Sequence, residues 1–251
     1  AVRAEKWEPA RIADAIQLSR LPGGRDSRIQ KAAAAPYHLI NTALISPDSK
    51  KPKFAGRSAD SFVFSANWCG SDATHWAPTR DYMAGRMMLP TAMAISGAAL
   101  NAHSGPGGKG ALRSPLVSFL VTLFGAQLGF WAPNPRYLKS SRKSFQQISP
   151  NYLRPGIRGL VGSGMHEFAG FVQLSDGGHF ENLGLYELIR RKLRVIVVCD
   201  GGQDPGFAFA DLGNAIERVR VDFGVTIDFG ASKFSLEGVL PKARDDTSNL
   251  W

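Results

Sequence analysis

A chain of 251 residues with 44% hydrophobic and 20% charged residues can bury a core, which excludes a disordered or fibrous protein, and its length fits one domain or the larger part of one. Two cysteines, Cys69 and Cys199, are too few for a disulfide framework. Cys199 closes a strongly apolar run where a buried thiol is expected, so a reducing compartment is indicated. The net charge of +9 admits an anionic partner without identifying one.

Residues 1–35 read as an N-terminal helical or linker segment. Ile12, Ala15, Ile16 and Leu18 suggest one short helix before the break at Pro22, Gly23 and Gly24. Residues 37–45 and 61–65 predict strands on either side of a Pro- and Lys-rich turn at 46–57. The stretch 67–79 is a polar, aromatic loop holding Trp68, Cys69, His75 and Trp76, equally suited to lining a pocket and to packing. Residues 89–100 predict a helix whose centre, Ala94 to Ala99, has little side-chain bulk and lets a backbone or an acyl chain approach closely.

The most apolar stretch is 116–131. Its 16 residues fall short of the roughly 20 needed to cross a bilayer. Leu116, Phe119, Leu120, Leu123, Phe124, Leu128 and Trp131 keep 3–4 spacing, as in a core helix, with a membrane-docking helix as the functional alternative. Next comes a run without acids that carries Arg136, Lys139, Arg142, Lys143, Arg154 and Arg158. It reads as a solvated basic loop. It could also meet an anionic membrane surface, at about 1 kcal/mol per basic residue. Nucleic acid is not expected, because no recognition motif accompanies the charge.

In the last third, 171–175 reads as a strand, 183–192 as a helix and 195–199 as a second strand, apolar throughout. Such a run suits a parallel strand covered on both faces. Phe209, Leu212, Ile216, Val219 and Phe223 mark an amphipathic helix closed by Gly224, and 225–229 a third strand. Alternating strands and helices predict right-handed crossovers and a parallel sheet. Residues 231–251 read as a tail.

The stretch Leu174-Ser175-Asp176-Gly177-Gly178-His179-Phe180-Glu181-Asn182-Leu183-Gly184-Leu185 is the most informative in the chain. An apolar strand delivers an acid onto two glycines that leave its approach clear, a place where α/β enzymes put catalytic acids and bases; an ordinary turn with Asp as its former fits as well. This segment resembles the second catalytic motif of the patatin-like phospholipase superfamily, and bacterial patatin-like proteins in particular. Further matching blocks follow the family order: His38-Leu39-Ile40-Asn41-Thr42, Cys69-Gly70-Ser71, Ala92-Met93-Ala94-Ile95-Ser96-Gly97-Ala98-Ala99, and Gly213-Asn214-Ala215-Ile216. The resemblance implies a three-layer α/β fold with a largely parallel central sheet flanked by helices, of which residues 36–230 would be the C-terminal portion. It also implies a Ser–Asp dyad with Asp176 as base. Gly177, Gly178 and Asn182 would support the motif, with Asn182 capping the next helix. Ser96 and Gly97 would lie beside the substrate pocket.

The family's Gly-x-Ser-x-Gly elbow and Gly-rich oxyanion loop have no counterpart at the expected places, since Cys69-Gly70-Ser71-Asp72-Ala73 and Gly162-Ser163-Gly164 both fail the pattern. The resemblance thus implies that the nucleophile half is missing and that the isolated chain has little turnover. Ser96 lacks the glycine two residues before it that an elbow uses. Asp200-Gly201-Gly202 repeats the acidic turn but lacks the following Asn-Leu-Gly-Leu. A metal site from Asp176, His179, Glu181, Asp200 and the His166–Glu167 pair has no ligand spacing to support it, and a Cys69 nucleophile with His75 or His179 is equally weak. The expected function is part of a serine acyl hydrolase that cleaves lipid carboxylic esters, without cofactor or metal. The alternative is a non-catalytic lipid- or membrane-binding module. The corresponding location is cytoplasmic or membrane-associated.

Overall fold

A computed structural model describes residues 16–21, 36–54, 57–98, 130–138 and 164–229. The chain divides into two compact units between Phe180 and Glu181. Among the described residues the first holds six strands, β1 (Leu39–Ile45), β2 (Ala59–Ser65), β3 (Trp68–Ser71), β4 (His75–Pro78), β5 (Phe130–Pro133) and β6 (Phe171–Asp176), and one α-helix, α1 (Leu89–Ser96). They form a single curled sheet in the order β4-β3-β2-β1-β6-β5.

Every neighbouring pair in this sheet is antiparallel. The expected parallel sheet flanked by helices is therefore overturned. The strands at 37–45, 61–65 and 171–175 exist, but β1 and β2 join as a hairpin, with Leu39 opposite Ser65 and Ile45 opposite Ala59. The loop read at 67–79 is a second hairpin, β3 with β4. An apolar alternation states that a strand has a face to bury; it does not state which way its neighbour runs.

The core follows from that alternation. Ile40 and Leu44 of β1, Phe62 and Phe64 of β2, and Val172 and Leu174 of β6 cluster with Tyr82, Met87 and the α1 residues Ala92 and Ile95. Phe62 and Phe64 meet edge to face at 5.2 Å, and each such buried aromatic contributes about 1.5–3 kcal/mol. Tyr82 Oη donates to the Pro133 carbonyl at 2.8 Å, tying the segment before α1 to β5. The helix expected over 89–100 ends at Ser96, capped by Gly97. Of the apolar stretch 116–131, only Phe130 and Trp131 are described, and they belong to β5. The rest lies outside the described residues, as do the tail and most of 1–35.

The second unit contains α2 (Leu185–Arg190) and α3 (Ala210–Phe223). They pack through Tyr186, whose ring lies 4.7 Å from that of Phe223 and whose hydroxyl donates to Asp222 at 2.7 Å. Gly224 closes α3 in the left-handed conformation expected of it, at φ 67°. The strands expected at 195–199 and 225–229 are not formed. Val195 and Val197 are each 79% exposed and Cys199 is exposed, so the buried thiol expected there is also corrected. Apolar β-branched residues favour an extended backbone, but only a partner's N–H and C=O groups make it a strand.

Candidate active site

The candidate base stands at the end of β6. Val172 and Leu174 enter the core, while Gln173 and Ser175 are buried on the opposite face. Asp176 is the last strand residue, paired in register with Thr42 of β1, and is half-buried. Its Oδ1 accepts from Gly178 N at 2.8 Å, so the carboxylate is oriented by its own turn. Gly177 is needed for space. A methyl group there would sit 2.9 Å from the Asn41 carbonyl oxygen and 3.2 Å from its carbon.

The C-terminal end of α1 closes on the same turn. The Ala98 carbonyl accepts from Asp176 N at 3.3 Å and from Ser175 Oγ at 2.8 Å. Ser96 Oγ donates to the Asn41 carbonyl at 2.7 Å. Three separated segments thus converge, bringing Asp176, Gly177, Gly178, Ser96 and Gly97 together. The Ser96 proton goes to a main-chain oxygen and not to Asp176, which makes Ser96 a brace between α1 and β1 in this arrangement.

Asn41 is the residue that sequence reasoning passed over. It receives Ser96 and packs on Gly177, and its own Oδ1 is shielded from solvent without a hydrogen-bond partner. The only signal was its place inside the block from His38 to Thr42; nothing local in the sequence marks a carbonyl as a junction.

Asn182 belongs to the second unit. It does not cap α2; its Nδ2 donates to Asp211 Oδ2 at 2.8 Å. Glu181 performs the capping, its carboxylate accepting from Leu183 N and from Tyr186 N. Burial raises the Glu181 pKa above the ordinary value, with the main-chain donors opposing and Asp211 adding a smaller upward push.

The second acidic turn copies the first locally. Asp200 Oδ1 accepts from Gly202 N at 2.8 Å, the same length as the Asp176 bond. A methyl on Gly202 would lie 3.0 Å from Asp200 Oδ1 and 3.3 Å from Asp211 Oδ2, so two carboxylates flank that glycine. Asp200 is exposed and follows a stretch without strand partners, whereas Asp176 terminates a strand paired on both sides.

Burial pushes the Cys69 thiol up to about 11, and its sulfur lies 3.2 Å from Thr79 Oγ1, which removes it as a nucleophile near neutrality. Glu167 is fully buried beside Lys51 Nζ at 3.7 Å, and His166 Nδ1 accepts from Phe168 N. Among the described residues no group of three or more His, Cys, Asp or Glu side chains is placed to hold a metal ion. Of the six basic residues in the run 136–158 only Arg136 is described. It donates to the Ala73 carbonyl at 2.7 Å and lies over the Phe168 ring at 4.8 Å; Lys139, Arg142, Lys143, Arg154 and Arg158 lie outside the described residues. No helix among the described residues is long and apolar enough to cross a membrane.

Comparison of the chain with protein-family models, with curated proteins and with solved structures found no match.

Proposed function

We propose that this chain carries the base of a Ser–Asp acyl hydrolase that cleaves carboxylic esters of lipids. The observation that supports the reading is the Asp176 turn: a half-buried carboxylate at the end of a strand that has a neighbour on each side, held by Gly178 N, with no side chain on the two residues that follow. In such a dyad Asp176 accepts the serine proton as the hydroxyl attacks the ester carbonyl. It then returns that proton to the departing alcohol, and water hydrolyses the acyl-enzyme by the same route. General-base assistance of this kind contributes about 100- to 10,000-fold.

The patatin-like motifs support the lipid ester as substrate, and the reading does not depend on a parallel sheet. The nucleophile is a serine other than Ser96, whose hydroxyl is engaged with Asn41. The test is fluorophosphonate labelling of the protein in its native lysate, with mass mapping of the modified residue and with Asp176→Asn, Asp200→Asn and Ser96→Ala variants. A serine label lost in Asp176→Asn and kept in the other two is expected. Loss in Asp200→Asn alone, or no label on folded protein, sinks the proposal, and the second outcome favours a non-catalytic lipid-binding module.

A further inference from the structure

Residues 191–209 join α2 to α3 without forming a strand or a helix. The apolar part of this connection is open to solvent, with Val195 and Val197 each 79% exposed. Among the described residues no hydrogen bond reaches the main chain of residues 194–199. The β-branched residues Val195, Ile196, Val197 and Val198 favour an extended backbone. Residues 194–199 thus offer free N–H and C=O groups in the form that a peptide takes when it is bound as an added strand. An exposed main chain of this kind is where proteolytic nicking concentrates.

Four basic residues lead into the connection, Arg190, Arg191, Lys192 and Arg194, and the structure separates them. Arg190 Nε donates to Glu187 Oε2 at 2.9 Å, and Arg191 pairs with the same buried carboxylate. Lys192 N donates to the Ile189 carbonyl at 2.8 Å. Lys192 also stands at φ 55°, in the left-handed region, so no extended segment runs through it. The last tie to α2 is the bond from Leu193 N to the Leu188 carbonyl at 3.5 Å. Arg194 follows it. Its side chain is exposed and has no hydrogen-bond or ion-pair partner among the described residues.

We propose that the Arg194–Val195 peptide bond is a limited-proteolysis site for a serine endoprotease whose specificity pocket is acidic. Arg194 enters that pocket, and the protease serine attacks the Arg194 carbonyl carbon. The carbon–nitrogen bond to Val195 breaks, and the departing nitrogen takes the serine's proton through the protease's base. Water then hydrolyses the acyl-enzyme, leaving a carboxylate on Arg194 and a new amino terminus at Val195. The cut is a nick and not the removal of a piece, because contacts span it. The Tyr186 and Phe223 rings lie 4.7 Å apart, Tyr186 Oη donates to Asp222 at 2.7 Å, and Asn182 Nδ2 donates to Asp211 at 2.8 Å. What changes is the tether: the run 195–209 is then held through α3 alone. This site is independent of the Asp176 chemistry.

The test is brief digestion of the native full chain with trypsin, with new amino termini mapped by mass spectrometry and their initial rates compared. The Val195 terminus should appear at least about tenfold faster than those created after Arg190, Arg191 and Lys192, which wait for the end of α2 to open. Arg194→Gln should abolish that terminus, and Lys192→Gln should leave its rate as in wild type. Both are changes at exposed side chains. The segments on the two sides of the cut should co-elute in gel filtration and part only in denaturant. Three results would overturn the proposal. They are cleavage after Arg190, Arg191 or Lys192 as fast as after Arg194, a native chain spared at Val195 while the unfolded chain is cut there, and segments that separate without denaturant.

Discussion

Replacing Gly177 by alanine tests the construction of the site more sharply than any change to Asp176. The added methyl would meet main chain, with the Asn41 oxygen at 2.9 Å and its carbonyl carbon at 3.2 Å, and a paired central strand cannot rotate away as a side chain can. Forcing a methylene into such a contact costs about 1–3 kcal/mol. The displaced carbonyl is also the acceptor for Ser96 Oγ, and losing that bond adds roughly 0.5–1.5 kcal/mol. The combined cost is about 2–4 kcal/mol. At about 2–4 °C per kcal/mol for a unit of this size, Tm should fall by roughly 5–15 °C. Thermal unfolding followed by near-ultraviolet circular dichroism reads it, because Phe62, Phe64 and Tyr82 lie in the core that β1 helps to build. A shift under about 2 °C would mean that β1 yields freely at Asn41 and that the close approach has no energetic consequence.

Glycine at position 213 predicts the opposite sign. It lies inside α3 with open space where a Cβ would stand, so Gly213→Ala should stabilise that helix by about 0.5–1 kcal/mol, read as slower hydrogen exchange of its amides. Thiol titration of the native chain at pH 8 should modify Cys199, which is exposed, and spare Cys69, which is buried with its pKa raised to about 11. Because the unfolded Cys69 thiol ionises near its ordinary value of 9.0, the unfolded state loses its proton first. Stability should therefore fall as pH rises from about 9 toward 11, and less so in Cys69→Ala. Glu181 also has a raised pKa, so its stabilising share is full below the ordinary carboxylate value and is lost as pH rises through the higher folded one. Protection of the α2 amides relative to Glu181→Gln should increase on acidification from neutrality; a flat difference would refute the buried, ionisable cap.

The sequence by itself located most of the first unit's material. The alternation in β1, β2 and β6, the amphipathic spacing of α3 and its closing glycine are local properties, because side-chain period and backbone preference act over a few residues. The acid at the end of β6 and its two glycines were legible for the same reason. What only the tertiary structure decided was pairing. Thr42 meets Asp176, and Ser175 meets Ala43, across some 130 residues of chain, and no local pattern encodes a partner so distant or its direction. A strand of apolar residues reads alike in a parallel or an antiparallel sheet, which is why the sheet was expected to be parallel. The residues at 195–199 show the converse: the pattern of a buried strand is present, yet without a neighbour's hydrogen bonds they remain exposed. The junction at Asn41 was hidden for a related reason. Its role is carried by a main-chain oxygen and by the space beside it, and neither depends on the side chain that the sequence records.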